Sequence, residues 1–187
     1  MSTEHFPALD ETTAPAEVRS VLAASARQVG FLAQPVARAA HSPALLRHML
    51  AGFAAFERTS LAPLERETLA MTVAYERGCH YCMAMHSAML AADPANARVL
   101  AALRAGGPLD DPRLEAVRAL ARTLLAAHGR VDHDELARFL AAGFTEAQAL
   151  EVVLGVSVYE LSTTTNLLTN APLDPPFAAF AWTRPSR

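Results

Sequence analysis

The chain marks the ends of its own helices at short intervals, and this punctuation limits its fold more than any other feature. Pro15 and Gly30 bracket a first helix, and Ser42-Pro43, a capping residue followed by proline at the first helical position, opens a second that runs to about Glu57. Ser60 with Pro63 opens a third, which Gly78 ends just before two cysteines. A fourth begins around Cys79 and stops near Asp93-Pro94, because proline cannot continue a helix. The segment from Pro94 to Arg104, closed by Gly106-Gly107, is the fifth. The grammar then repeats: Asp111-Pro112 starts a helix ending at Gly129, and Asp132 with Glu135 starts another ending at Gly143. Thr145 with Gln148 forms a capping box for a long last helix to about Leu168.

Eight helices of this kind, in a chain where hydrophobic residues make up 52% but aromatics only 6%, predict an all-α fold. At 187 residues they form one domain, 1–187, with an irregular proline-rich tail from about residue 172 that lies across a neighbouring surface. The last helix carries Leu150, Val152, Val153, Leu154, Val156 and Val158 on more than one side. It is therefore either a central helix wrapped by its own subunit or one that also buries a face in a homo-oligomer. Glu151, Glu160 and Asn166 within it argue against a membrane span. The 16 basic and 19 acidic residues form no long run of one sign, so nothing in the sequence points to a nucleic-acid or anionic-membrane surface, and a small soluble substrate or a protein partner is expected. The N-terminus lacks the pattern of a secretory signal, so a cytoplasmic location is expected.

The chemistry concentrates in one stretch, Cys79-His80-Tyr81-Cys82-Met83-Ala84-Met85-His86. On a helix, Cys79, Cys82 and His86 share one face over two turns. The cysteines fall in the first turn, where free backbone N–H groups favour a thiolate, and His86 is one turn on, placed to act as a base on Cys82. On the preceding helix, Glu67 falls on the apolar arc with Leu64, Ala70, Met71 and Ala74, whereas Glu65 and Glu76 fall on the other side. A carboxylate facing the core needs a partner, and His86, His80 or Tyr81 can supply it. Met71, Met83, Met85 and Met89 surround the site as an adaptable apolar lining. Glu160 and Asn166 read as polar groups satisfied by another helix, and His41 and His48 as surface or packing residues.

Zinc is the competing reading of the same groups, with Cys79, Cys82 and His86 as ligands completed by His80 or Glu67. No second Cys or His pair stands at ligand spacing, so no metal and no cofactor is expected. Disulfide exchange with a protein partner, and a redox-sensing oligomer, are the other uses of such a pair.

Glu67 with Cys79-His80-Tyr81-Cys82 and His86 resembles the E…CxxCxxxH signature of the AhpD-like alkylhydroperoxidases in the carboxymuconolactone decarboxylase superfamily. His41-Ser-Pro-Ala-Leu-Leu, Leu64-Glu-Arg-Glu and the tail segment Phe177-Ala-Ala-Phe-Ala-Trp182 resemble its longer, peroxidase-related members, so the likeness runs from about Ala14 to Trp182. The resemblance implies an all-helical trimer or hexamer that reduces a small hydroperoxide. In it Cys82 would be peroxidatic, Cys79 resolving, and His86 with Glu67 the proton relay. A dithiol, thioredoxin-like or lipoyl reductant would restore the thiols. Some members place a histidine directly before the second cysteine as part of the relay; here Tyr81 stands there, with His80 one residue earlier.

Overall fold

The computed structural model describes residues 5–185; the ends of the expected domain, 1–4 and 186–187, lie outside the described residues. Among those described there are nine α-helices and no strand: α1 Ala16–Val29, α2 Gln34–Ala39, α3 Pro43–Phe56, α4 Pro63–Arg77, α5 His80–Ala91, α6 Ala97–Ala105, α7 Pro112–Ala126, α8 His133–Ala141 and α9 Glu146–Leu168. Short 3-10 turns span Pro94–Asn96 and Pro175–Phe180. Eight of the helices coincide with those read from the punctuation. Gly78, at φ 70°, ends α4 in the left-handed conformation that only glycine adopts without strain.

The helix the sequence does not signal is α2. It has six residues, begins Gln34-Pro35, and has no capping side chain of its own. Its first N–H is satisfied from 140 residues away, by Asp174 Oδ2 at 3.1 Å. A local reading cannot see a cap supplied by the other end of the chain.

Helices α4 and α9 form the centre. α4 packs on α5, α6, α7 and α9, and α9 packs on α2, α3, α4, α7 and α8. Thr68 to Ala74 of α4 is buried without interruption. This corrects one detail of the helical wheel. Glu65, expected on the outer side, has a side chain only 6% exposed and pairs with Arg113 Nε at 2.9 Å, because α7 covers the face that the wheel leaves to water. α9 is wrapped by its own subunit, yet Leu150 and Leu168 remain 71% and 70% exposed. No single helix among the described residues is long and apolar enough to cross a membrane.

α9 approaches α3 and α4 closely because position 155 has no side chain. A Cβ added there would lie 2.5 Å from Phe56 Cε2 and 2.9 Å from Leu69 Cδ1. Gly155→Ala is therefore expected to destabilise the protein by about 1–2 kcal/mol, the overpacking cost exceeding the gain in helix propensity. A lowered denaturant midpoint at unchanged slope would show it; an unchanged or raised midpoint would contradict this packing.

The tail lies on the subunit's own α5 and α6. Trp182 Nε1 donates to Arg104 O at 2.9 Å and its ring packs on Tyr75, while Arg104 holds Phe180 O and Ser87 Oγ. Its buried Asp174 ties α2 to Tyr81 of α5.

Candidate active site

Cys79 is the N-cap of α5, and its Sγ accepts the Cys82 N–H at 3.3 Å. Both cysteines are free thiols and buried, Cys79 to 1% and Cys82 to 5% exposure. One turn later His86, also buried, presents Nδ1 to Glu67 Oε2 at 2.8 Å across the α4–α5 interface. The four residues singled out in the sequence thus occupy one region built from two adjacent helices.

The two thiols are pushed in opposite directions. The hydrogen bond from the Cys82 thiol, together with the Cys82 backbone N–H, lowers the Cys79 thiol to about 7 despite its burial. Cys82 moves the other way, well above the usual thiol range, because its proton is shared with Cys79 and because it is buried. The lowering of a first-turn thiol that the helix start favours thus falls on Cys79 rather than Cys82. Thiolate absorbance of reduced protein is accordingly expected to rise in two separated steps, the first near pH 7 and the second well above an ordinary thiol. Two coincident steps near the ordinary value would refute this sharing of one proton.

Burial alone would lower the His86 pKa, but the Glu67 carboxylate beside it overrides that and raises it. Glu67 is in turn held below the usual carboxylate range: burial opposes this, and His86 outweighs burial. The imidazolium is favoured, so His86 is better prepared to donate a proton than to act as the base that the spacing suggests.

The hydrogen bonds at Cys82 Sγ come from α9. Asn166 Nδ2 donates to it at 3.3 Å, and Thr163 Oγ1 lies at 3.8 Å. Tyr159 packs edge-on to the His86 ring, with centroids 5.4 Å apart. Of this set the sequence reading mentioned only Asn166, as a polar group satisfied from outside its own helix, without naming Cys82 as its partner. A signal was available: Tyr159, Ser162, Thr163 and Asn166 make a polar arc at helical spacing on an otherwise apolar helix.

The relay candidates beside the cysteines have other situations. Tyr81 is buried, and its hydroxyl donates to Asp174 Oδ2 at 2.7 Å. Burial first, then that carboxylate, raise its pKa far from neutrality, so it stays protonated and directed away from the sulfurs. His80 is half-buried at the start of α5. Among the described residues no three His, Cys, Asp or Glu side chains gather as a metal would require. His41 instead bonds Pro7 O, and Glu160 pairs with Arg77.

A cavity of about 610 Å³ opens onto Cys82, His86, Glu67, Tyr159 and Asn166, with walls from α1, α2 and α3. Met85 and Met89 line it, as the sequence reading expects, joined by Met49; Met71 and Met83 are fully buried in the core behind.

An acid–thiol arrangement on this α4–α5 pair is set in a recognisable stretch of sequence. Residues 43–123 match the Carboxymuconolactone decarboxylase family. The segment contains α3 to α5 and hence Glu67, both cysteines and His86. The whole chain is similar in fold to an alkylhydroperoxidase AhpD core, an uncharacterized peroxidase-related protein from Ralstonia eutropha JMP134, at 20% identity over 92% of this chain and 93% of that one, with a TM-score of 0.80. A second uncharacterized peroxidase-related protein, from Silicibacter sp. TM1040, is 19% identical over 95% and 96% of the two chains, with a TM-score of 0.76. The debrominase Bmp8, in a cysteine-to-alanine variant complexed with 2,3,4-tribromopyrrole, is 16% identical over 96% of each chain, also with a TM-score of 0.76. No curated protein sequence matches. The family match thus covers the α3–α7 region, and over the rest of the chain the likeness is one of fold.

Proposed function

We propose that the protein is a thiol-dependent hydroperoxide reductase. The observation that carries the proposal is the placement of Cys82, alone of the two sulfurs, on the cavity wall beside the Glu67–His86 pair. Cys79 takes no part in the lining, which suits a resolving thiol. Peroxide in the cavity meets Cys82 once its proton has passed to Cys79, and Asn166 and Thr163 hold the resulting thiolate. Cys82 Sγ attacks one peroxide oxygen, the O–O bond breaks, and the leaving alkoxide takes a proton from His86 to become an alcohol. The sulfenic acid on Cys82 is then attacked by the Cys79 sulfur, giving water and the Cys79–Cys82 disulfide. A dithiol donor returns two electrons and two protons.

Disulfide exchange with a protein partner is less favoured, since sulfurs 1% and 5% exposed admit a small molecule through a cavity more readily than another protein's disulfide. Reaction rates of reduced protein with an organic hydroperoxide and with a protein disulfide separate the two; faster reaction with the disulfide would reverse the assignment.

A second reading is favoured by the room above Cys82, far more than a peroxide group needs. There the Cys82 thiolate could take halogen from an aryl halide, with a proton completing the arene; Cys79 would then displace halide to form the same disulfide. Halide release, matched one to one with disulfide, decides for it. The exposed Leu150 and Leu168 on α9 support the proposed homo-oligomer; sedimentation of the reduced protein reads its size directly.

A further inference from the structure

We propose that the cavity over Cys82 selects uncharged, largely apolar hydroperoxides of aryl size and rejects carboxylate-bearing ones of the same shape; this rests on the hydroperoxide reading above and names its substrate class. At about 610 Å³ the space is in the range that encloses most of a medium-sized organic ligand, roughly 300–1,000 Å³. Its walls are largely carbon and thioether, from residues such as Val36, Leu50, Phe53, Met85, Met89 and Phe177, with Ser20, Ser25 and Gln28 of α1 as neutral polar exceptions. Polar groups gather at the reacting end, where Cys82, His86, Glu67 and Asn166 meet. A ligand is therefore read by an apolar body with one polar end.

The charges decide the rest. The lining carries two carboxylates, Glu57 and Glu67, and no arginine, and the chain as a whole contains no lysine. The nearby cation is already committed elsewhere: Arg66 Nη2 holds Glu57 Oε2 at 3.2 Å. Among the described residues the one positive group on the wall is His86, and Glu67 holds it at 2.8 Å. An entering carboxylate would thus lose its water against two carboxylates that already hold the neighbouring Arg66 and His86, and would gain no new partner from the lining. Desolvating a carboxylate with no compensating partner suffices for a discrimination of about tenfold or more.

The test compares cumene hydroperoxide with its para-carboxylate derivative, which share size and reacting group. Thiol loss from fully reduced protein is followed at neutral pH and low salt, each rate divided by the rate of the same peroxide with a small free thiol. The neutral peroxide is expected to react at least about tenfold faster, with the ratio shrinking as salt screens the carboxylates. Gln28→Arg places a cation on the cavity wall near the end of α1, where the helix dipole accepts it, and is expected to narrow the ratio by raising the anion's rate. Binding of the unreactive cumyl alcohol and its para-carboxylate, followed through methionine methyl resonances, gives an independent readout. Saturable binding of the alcohol alone supports the cavity's charge selection even if neither peroxide reacts, in which case only the hydroperoxide reading fails. Equal normalised rates, or carboxylate binding as tight as the alcohol's, would overturn the selection while leaving peroxide reduction standing; so would failure of the alcohol to bind.

Discussion

Replacing Cys82 with serine is expected to abolish peroxide consumption, with a loss of roughly a thousandfold or more, because the hydroxyl cannot replace a thiolate nucleophile. The fold should survive, since serine is similar in size and can use the same Asn166 and Thr163 contacts. Cys79→Ser should behave differently. Serine is a good N-cap, so the start of α5 is kept or strengthened while the resolving sulfur is lost. That variant should consume one equivalent of peroxide and stop as a Cys82 sulfenic acid, detectable by mass as one added oxygen. A Cys82→Ser protein that still forms a sulfenic acid at Cys79 would reverse the roles assigned here.

Glu67→Gln is expected to lower the rate of peroxide reduction by about a hundredfold, the size of a lost proton-transfer contribution. The amide can still accept from His86 Nδ1, so the ring keeps its place while the charge that raises its pKa disappears. Glu67 thus acts as a positioning and tuning residue through His86, and the pH profile should show it. With Glu67 present, the His86 pKa lies above its ordinary 6.5, so the rate limb that needs a protonated His86 extends to higher pH; in the variant that limb should move to lower pH. Stability follows the same charges. The lowered Glu67 pKa contributes stability above its ordinary 4.5, lost as pH falls through its depressed folded value. The raised His86 pKa contributes stability below 6.5, lost as pH rises through its elevated folded value. Parent protein should therefore exceed the variant most between these two ordinary values, by about 1–3 kcal/mol, with the gap narrowing on either side. A constant gap across that range would mean that the carboxylate acts only by shape.

The sequence showed its helices because their ends are local. Ser42 before Pro43, Gly78 after Arg77 and the Thr145–Gln148 box are decided within a turn of chain, and all three function as caps in the structure. α2 was illegible because its cap is Asp174, and Glu65 was misplaced because a wheel describes one helix and not the α7 that covers it. At the site, Cys79, Cys82 and His86 could be joined by periodicity within α5, and Glu67 by its position on the inner arc of α4. The polar arc of α9 was readable as an arc, but not that it meets Cys82, since the contacts from Asn166 and Thr163 span 84 and 81 residues. Nor does spacing reveal how two neighbouring thiols divide one proton, which depends on which sulfur receives the Cys82 N–H. The Asp174–Tyr81 bond, spanning 93 residues, is a further case: it withdraws from the relay a residue that lies next to the cysteines in sequence.

The most direct measurement is the intact mass and free-thiol count of fully reduced protein before and after a small excess of organic hydroperoxide, followed over time. The account predicts rapid loss of both thiols with a mass lower by two hydrogens, as the Cys79–Cys82 disulfide forms. Thiols that persist at unchanged mass would contradict it.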